Sequence, residues 1–499
     1  MTESATASHS THINIGLWPA ILIFLSLAGL IYTPKLTLVS VLLLVYLLVF
    51  VRHGSSCSFC QGIQHRMDQV SGQKFQLHYL SLLIFSIAFL VVIFRDISLL
   101  TQPRFWAEDG RHFFEYAYKH DWLDTLLFHP EYRLFLSNIS ALIATRVTSL
   151  GLAPLPFSLI WLMIIASALA IVAWGNSPVW DTPAKKILVC AMIIFAPRSA
   201  EIWLNANGTQ YYTPLITALI LAESTVGSGI FKVYSFRILL ALASINGVLS
   251  CLLTPLYWFK AFRHRNDREL IIQAAILSAG AVFQLFTLLM SSAHAERNLL
   301  SDASLFGWIS WVKSVGLTFN TELAELLHNS VLSGAISIDS NTFTNVGYLL
   351  LSLWLLAVIF LAYRLRHHIA IYILASYVLL FLFVSIFGIA GPDNVYFIYP
   401  DLGNRYFLLT SALILISLYA SIGSFTQGTK LRNSAVILSI ILGLGLTNGI
   451  EQFYGQKLKR EPTWPEWQAE VEKWNTDHRY ILHIWPDPWV VNLQNHSTD

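Results

Sequence analysis

The stretch "RILLALASINGVLSCLLTPLYWFKAFRHRNDR", residues 237 to 268, decides the fold. It is apolar enough for a bilayer, yet it starts on an arginine and ends in a basic cluster. Short loops rich in Lys and Arg stay on the cytoplasmic side of a membrane. One plain span would put one of these ends on the wrong face, so the segment is expected to go in and come back. Asn246-Gly247 and Thr254-Pro255 supply the breaks. A broken helix is tolerated where protein or a cavity covers its backbone.

The chain around this stretch is equally oily. Its 499 residues are 55% hydrophobic and 12% charged, with a mean hydropathy of +0.58, whereas soluble domains carry roughly twice that charged fraction. An integral membrane protein is implied. The net charge of +2, spread over short separate clusters, sets nucleic acid aside as a partner. Residues 1–16 are polar without a signal-peptide pattern, so the first span is expected to serve as its own insertion signal.

Apolar runs long enough to cross lie near 17–32, 36–51, 77–94, 155–174, 269–291, 346–363, 369–389, 406–423 and 434–449, with shorter ones near 187–202 and 211–224. Basic clusters at 52–74, Lys185-Lys186, Lys232 with Arg237, 260–268, 364–368 and 430–432 should all be cytoplasmic. They agree only if "LFLSNISALIATRV" (134–147), interrupted by Asn138 and Arg146, lies along the surface without crossing. The loops 95–154, 198–210, 292–345, 391–405 and the tail 450–499 then share the extracytoplasmic face. No repeat or Gly/Ser linker divides the chain. The expected organisation is a transmembrane hairpin with a cytoplasmic loop (1–76), a transmembrane body (77–449) and an extracytoplasmic tail (450–499).

The polar residues of those loops are the candidates for chemistry. In "RFWAEDGRHFFEYAYKHDW" (104–122), Glu108 and Asp109 are adjacent carboxylates beside an oily surface. Mutual repulsion can hold one of them as a general base, with Asp109 preferred, or both can share a divalent cation such as Mg or Mn. The competing reading is an acidic helix cap in an aromatic belt. "PRSAEIWLNANGTQYY" (197–212) offers Arg198 and the amides and hydroxyls of Asn205, Asn207, Gln210 and Tyr211, suited to sugar hydroxyls, with Trp203 and Tyr212 available to stack on a pyranose. "GPDNVYFIYPDLGNRYF" (391–407) places Asp393, Asp401 and Arg405 ahead of a late span, where Arg405 can fork a phosphate or simply anchor the helix. Lys313, Glu322, Glu325 and His328 are weaker candidates in the loop 292–345.

In the tail, Trp464, Trp467 and Trp474 fall at helical spacing, and "RYILHIWP" reads as a strand. Among the four cysteines, only Cys57 and Cys60 sit in a constellation, with His53 and His65, which is either a zinc knuckle or a reduced cytoplasmic loop. No nucleotide-binding or hydrolase motif accompanies any of these residues.

"WAEDG" in a long extracytoplasmic loop, a surface helix after it, "NANGTQ", broken short helices and "GNRYF" before a late span together resemble the GT-C superfamily of membrane glycosyltransferases, which use polyprenyl-phosphate-linked sugars. By size and layout the chain looks most like the O-antigen-modifying glucosyltransferases of the bacterial cell envelope, which act on lipopolysaccharide. The resemblance covers about residues 77–499. It implies an all-α polytopic membrane protein, a GT-C-like bundle of about 11–13 transmembrane helices with a small extracytoplasmic C-terminal cap, in the bacterial inner (plasma) membrane. It further implies Asp109 or Glu108 as the loop carboxylate and Arg405, with Arg198, as the phosphate-binding arginines. The acceptor would be a glycan or lipid-linked saccharide, bound with Asn205, Asn207, Gln210, Tyr211, Asp393 and Asp401. Two departures stand out: the acidic loop follows the third span, not the first, and no second DxD supports a metal. The alternative is a flippase or transporter of polyprenyl-linked saccharides, which would want charges along a path inside the spans.

Overall fold

The computed structural model describes residues 74–197, 202–291, 300, 302–332, 340–387, 397–400, 402–423, 432–455 and 465–494. The two N-terminal apolar runs and the His53, Cys57, Cys60, His65 group lie outside the described residues, as do Arg198, Glu201, Asp393, Asp401 and Trp464.

The protein is helical throughout its body. Its long elements are α1 (Lys74–Phe94), α2 (Phe135–Arg146), α3 (Leu155–Ala173), α4 (Pro183–Ile194), α5 (Thr209–Leu221), α6 (Ile230–Ile245), α7 (Thr254–Arg263) and α8 (Arg268–Met290). They continue as α9 (Ala303–Ile309), α10 (Ser340–Leu365), α11 (Ile371–Phe387), α12 (Asn404–Gly423), α13 (Arg432–Gly455) and α14 (Trp467–Thr476). Among the described residues, 5 helical stretches are long and apolar enough to cross a membrane: 150–173, 268–290, 341–365, 404–422 and 435–454. This is an all-α membrane-type fold.

Side-chain placement carries the same message. On α8 the outward residues are Val282, Phe286 and Leu289, while Gln273 and Gln284 point inward and are buried. That inversion suits a lipid surround, where apolar faces need no cover and polar groups must find partners. Helices approach closely at small residues: a Cβ on Gly280 would collide with Ser244, and one on Gly307 with the backbone of Gly347. The helix starts follow local chemistry. Thr182 caps α4 ahead of Pro183, Asp267 caps α8 and Asp302 caps α9.

The reversal expected within 237–268 is present. α6 ends at Asn246, Gly247 turns with φ +94, and α7 begins with Pro255 in its first turn. Lys260 then donates to the carbonyls of Leu221 and Glu223 at the end of α5, while Arg237 pairs with Glu269 at the start of α8. Both ends of the stretch therefore lie at one end of the bundle. Lys186, which donates to Ala173 O, and Lys232, which pairs with Glu223, gather there too. α2 has 12 residues, which at about 1.5 Å per residue is too short to cross a bilayer. It packs on α3 with Asn138 and Ser140 buried.

The opposite end of the bundle carries the tail. α14 is followed by a two-stranded antiparallel pair, β1 (Leu482–His483) and β2 (Val490–Val491). Trp467 is buried and donates its indole N–H to Leu150 O at 2.9 Å. This small unit packs around Phe105, Phe113 and Phe114, forming a core of its own apart from the main helical one.

Candidate functional site

The acidic loop is gripped from the tail. Trp485 N–H donates to Phe105 O and Ala107 N–H donates to Trp485 O, so residues 105–107 lie as a short parallel bridge against residue 485. Arg104 stacks over the Trp485 ring at 3.7 Å, and Asn492 N–H donates to Glu115 Oε2 at 2.9 Å. Ala107, immediately before the carboxylate pair, is held at φ +31. A left-handed non-glycine residue stores strain that the surrounding contacts must overdetermine.

A second such residue faces it. Leu204 has φ +56, directly before "NANGTQ". The two strained loops meet at Asp109, whose Oδ2 accepts from Ala206 N–H and whose Oδ1 accepts from Asn207 N–H, both at 3.0 Å. Asp109 is 1% exposed. Burial pushes its pKa up to about 8, against the two backbone donors, which pull it down. The side chain joins two loops and has no free oxygen to present.

Glu108 takes the other direction. Its side chain is 24% exposed, and Oε1 stands 3.8 Å from Arg405 Nη1 at the start of α12. Arg405 also reaches the Tyr406 hydroxyl at 3.4 Å, and the Tyr406 ring meets Tyr211 edge-on with centroids 5.6 Å apart. Next to them Gln210 donates to Asn207 Oδ1 at 2.8 Å and accepts from the Tyr132 hydroxyl at 2.9 Å. Residues 108, 132, 207, 210, 211, 405 and 406 thus form one polar-aromatic patch, beside the chain end that carries the tail and away from the basic clusters.

Within the patch, Asn207 and Arg405 are half-buried, while Asn205, Gln210 and Tyr211 are buried. Asn205 spends its side-chain oxygen on Gly208 N–H at 2.6 Å, closing the turn that starts α5. Trp203 and Tyr212, expected to stack on a sugar, instead pack inward on Trp161, and Arg95 covers the Trp203 ring at 4.2 Å. Their aromatic character serves the core, in which both side chains are buried.

A divalent cation fits this arrangement poorly. Asp109 gives both oxygens to backbone amides, and Glu108 faces a guanidinium. Among the described residues no three His, Cys, Asp or Glu side chains come together as a metal-binding group.

Sequence reasoning missed Tyr132 and Tyr406, which only tertiary contacts bring to Gln210 and Arg405. It ranked Lys313 low, although that lysine is wholly buried against the turn before Arg405. An ammonium in a segment of otherwise apolar and small residues was the available signal. No protein-family model matches the chain, and neither does any curated protein or solved structure.

Proposed function

We propose that the chain is a membrane glycosyltransferase that moves a sugar from a polyprenyl-phosphate donor to a glycan or lipid-linked acceptor, at the extracytoplasmic face of a bacterial inner membrane. The observation that carries this reading is the approach of Glu108 to Arg405, a partly exposed carboxylate beside a guanidinium at the head of an apolar helix. A lipid tail can lie along such a helix while its phosphate meets the arginine fork.

In this reading Glu108 accepts the proton of an acceptor hydroxyl as its oxygen bonds to the anomeric carbon. The bond from that carbon to the phosphate oxygen breaks, and the electron pair stays on the polyprenyl phosphate, where Arg405 balances the charge. The Arg405 guanidinium stands beside Glu108 until substrate phosphate competes for it. Asp109, preferred as the base from sequence, has both oxygens occupied, so the geometry favours Glu108 for the proton and Asp109 for holding "WAEDG" against "NANGTQ". Asn207 and the hydroxyls of Tyr132 and Tyr406 line the patch as sugar-reading groups. No step needs a metal.

Thin-layer analysis of a lipid-linked sugar incubated with the purified chain and a glycan acceptor tests the proposal. Consumption of the donor with release of polyprenyl phosphate is expected. Intact donor moved across a vesicle membrane would favour the flippase reading instead.

A further inference from the structure

Lys313 lies at the centre of a π-helical segment, Ser310–Gly316, that continues α9, and its side chain is 0% exposed. An ammonium in such surroundings persists only where acceptors match its donors. Here they do: Nζ donates to Tyr399 O at 2.8 Å, Leu402 O at 2.6 Å and Asn404 Oδ1 at 2.8 Å, with Pro400 O at 3.5 Å. These four acceptors, among the described residues, belong to the turn that ends one residue before Arg405. Their oxygens face a common point, where their dipoles repel one another unless a cation sits among them. Gly403, at φ +67, allows the turn to curl around that point. The extra residue per turn of a π segment aims a side chain off the regular helical register.

We propose that Lys313 is a positioning residue that fixes the entry of α12 and so aims the Arg405 guanidinium at the donor phosphate. It touches neither substrate nor the reacting atoms. Its charge gathers the carbonyls of Tyr399, Pro400 and Leu402 and the Asn404 side chain, and that gathering sets where the helix begins. The proposal rests on Arg405 being the phosphate ligand, so its test needs one readout that is independent of sugar transfer.

The full chain, with its native cysteines replaced by serine, is given the pair Glu108→Cys and Arg405→Cys and treated with a short thiol cross-linker. Cross-linking is expected with Lys313 present, lost in Lys313→Met, and recovered in Lys313→Arg. In the chain with Glu108 and Arg405 intact, Lys313→Met should raise the donor KM by about tenfold, the worth of one charged hydrogen bond, with the acceptor KM unchanged. Should Lys313→Met fail to fold, Lys313→Gln, a neutral side chain of shorter reach, carries the same comparison. Cross-linking indifferent to residue 313 overturns the inference. Cross-linking that depends on residue 313 in a chain with no sugar transfer upholds the positioning role and sinks the proposed function alone.

Discussion

Glu108 Oε1 lies 3.8 Å from Arg405 Nη1, although one residue belongs to the first described polar loop and the other to the start of α12. Glu108 is also the accessible member of the carboxylate pair, since Asp109 is buried. Glu108→Gln keeps size and hydrogen bonding but removes proton affinity, so turnover should fall by about 10² or more while folding is retained. Transfer from the polyprenyl donor, with monodispersity in detergent as the folding check, measures it. Parent-rate turnover in this variant would remove Glu108 from the chemistry.

Asp109→Asn should behave differently. Even when protonated the carboxyl keeps an acceptor lone pair on each oxygen for the two backbone N–H groups, whereas the amide NH₂ has none and turns a hydrogen toward a donor in a buried site. A loss of about 1–3 kcal/mol is expected, seen as a lower melting temperature.

The same variant exposes a pH effect. In the folded chain Asp109 keeps its proton until about pH 8, raised from 3.8. The unfolded chain gives it up first, so the stability tied to the protonated form is complete below pH 3.8 and lost as pH rises through about 8. The melting-temperature advantage of the parent over Asp109→Asn should therefore shrink from about pH 5 to about pH 9. An advantage that grows with pH would mean the two backbone donors outweigh burial.

Arg405→Ala should raise the donor KM by about tenfold or more and leave acceptor binding little changed, because the half-buried Asn207 and the Tyr132 pair with Gln210 remain. Arg405→Lys should recover only part, since a point charge cannot reproduce the fork. Donor-titration kinetics separate these outcomes, and an unaltered donor KM in the alanine variant would leave Arg405 as a helix anchor.

Single cysteines at Lys185 and Arg265 should react with a membrane-impermeant thiol reagent only from the cytoplasmic side, and one at Glu108 only from outside. Both basic sites belong to the end of the bundle opposite the carboxylate pair. Labelling of position 185 from outside would invert the orientation.

The 5 long apolar helices among the described residues were readable because each needs only a long apolar run, a property local to the sequence. The reversal at Asn246-Gly247 was readable because basic residues at both ends of one stretch allow few paths. The division of labour between Glu108 and Asp109 was not. Neighbouring residues on a helical turn point in different directions, and which one turns inward is set by contacts with Ala206, Asn207 and Trp485, far away in the chain. Trp203 and Tyr212 misled for a related reason. An aromatic side chain beside polar amides looks the same in sequence whether it faces a sugar or, as here, Trp161.

The grip of Trp485 on residues 105–107 also sets an order of events during synthesis. The ribosome delivers the "WAEDG" loop to the membrane surface long before it makes the segment that clasps it. Until 465–494 has followed, the hydrogen bonds between Trp485 and residues 105–107 are missing, and the loop is tied only through Asp109 to residues 206–207 and through Glu108 to Arg405. The clasp on the left-handed Ala107 is thus a late contact, made long after the loop it holds has been synthesised.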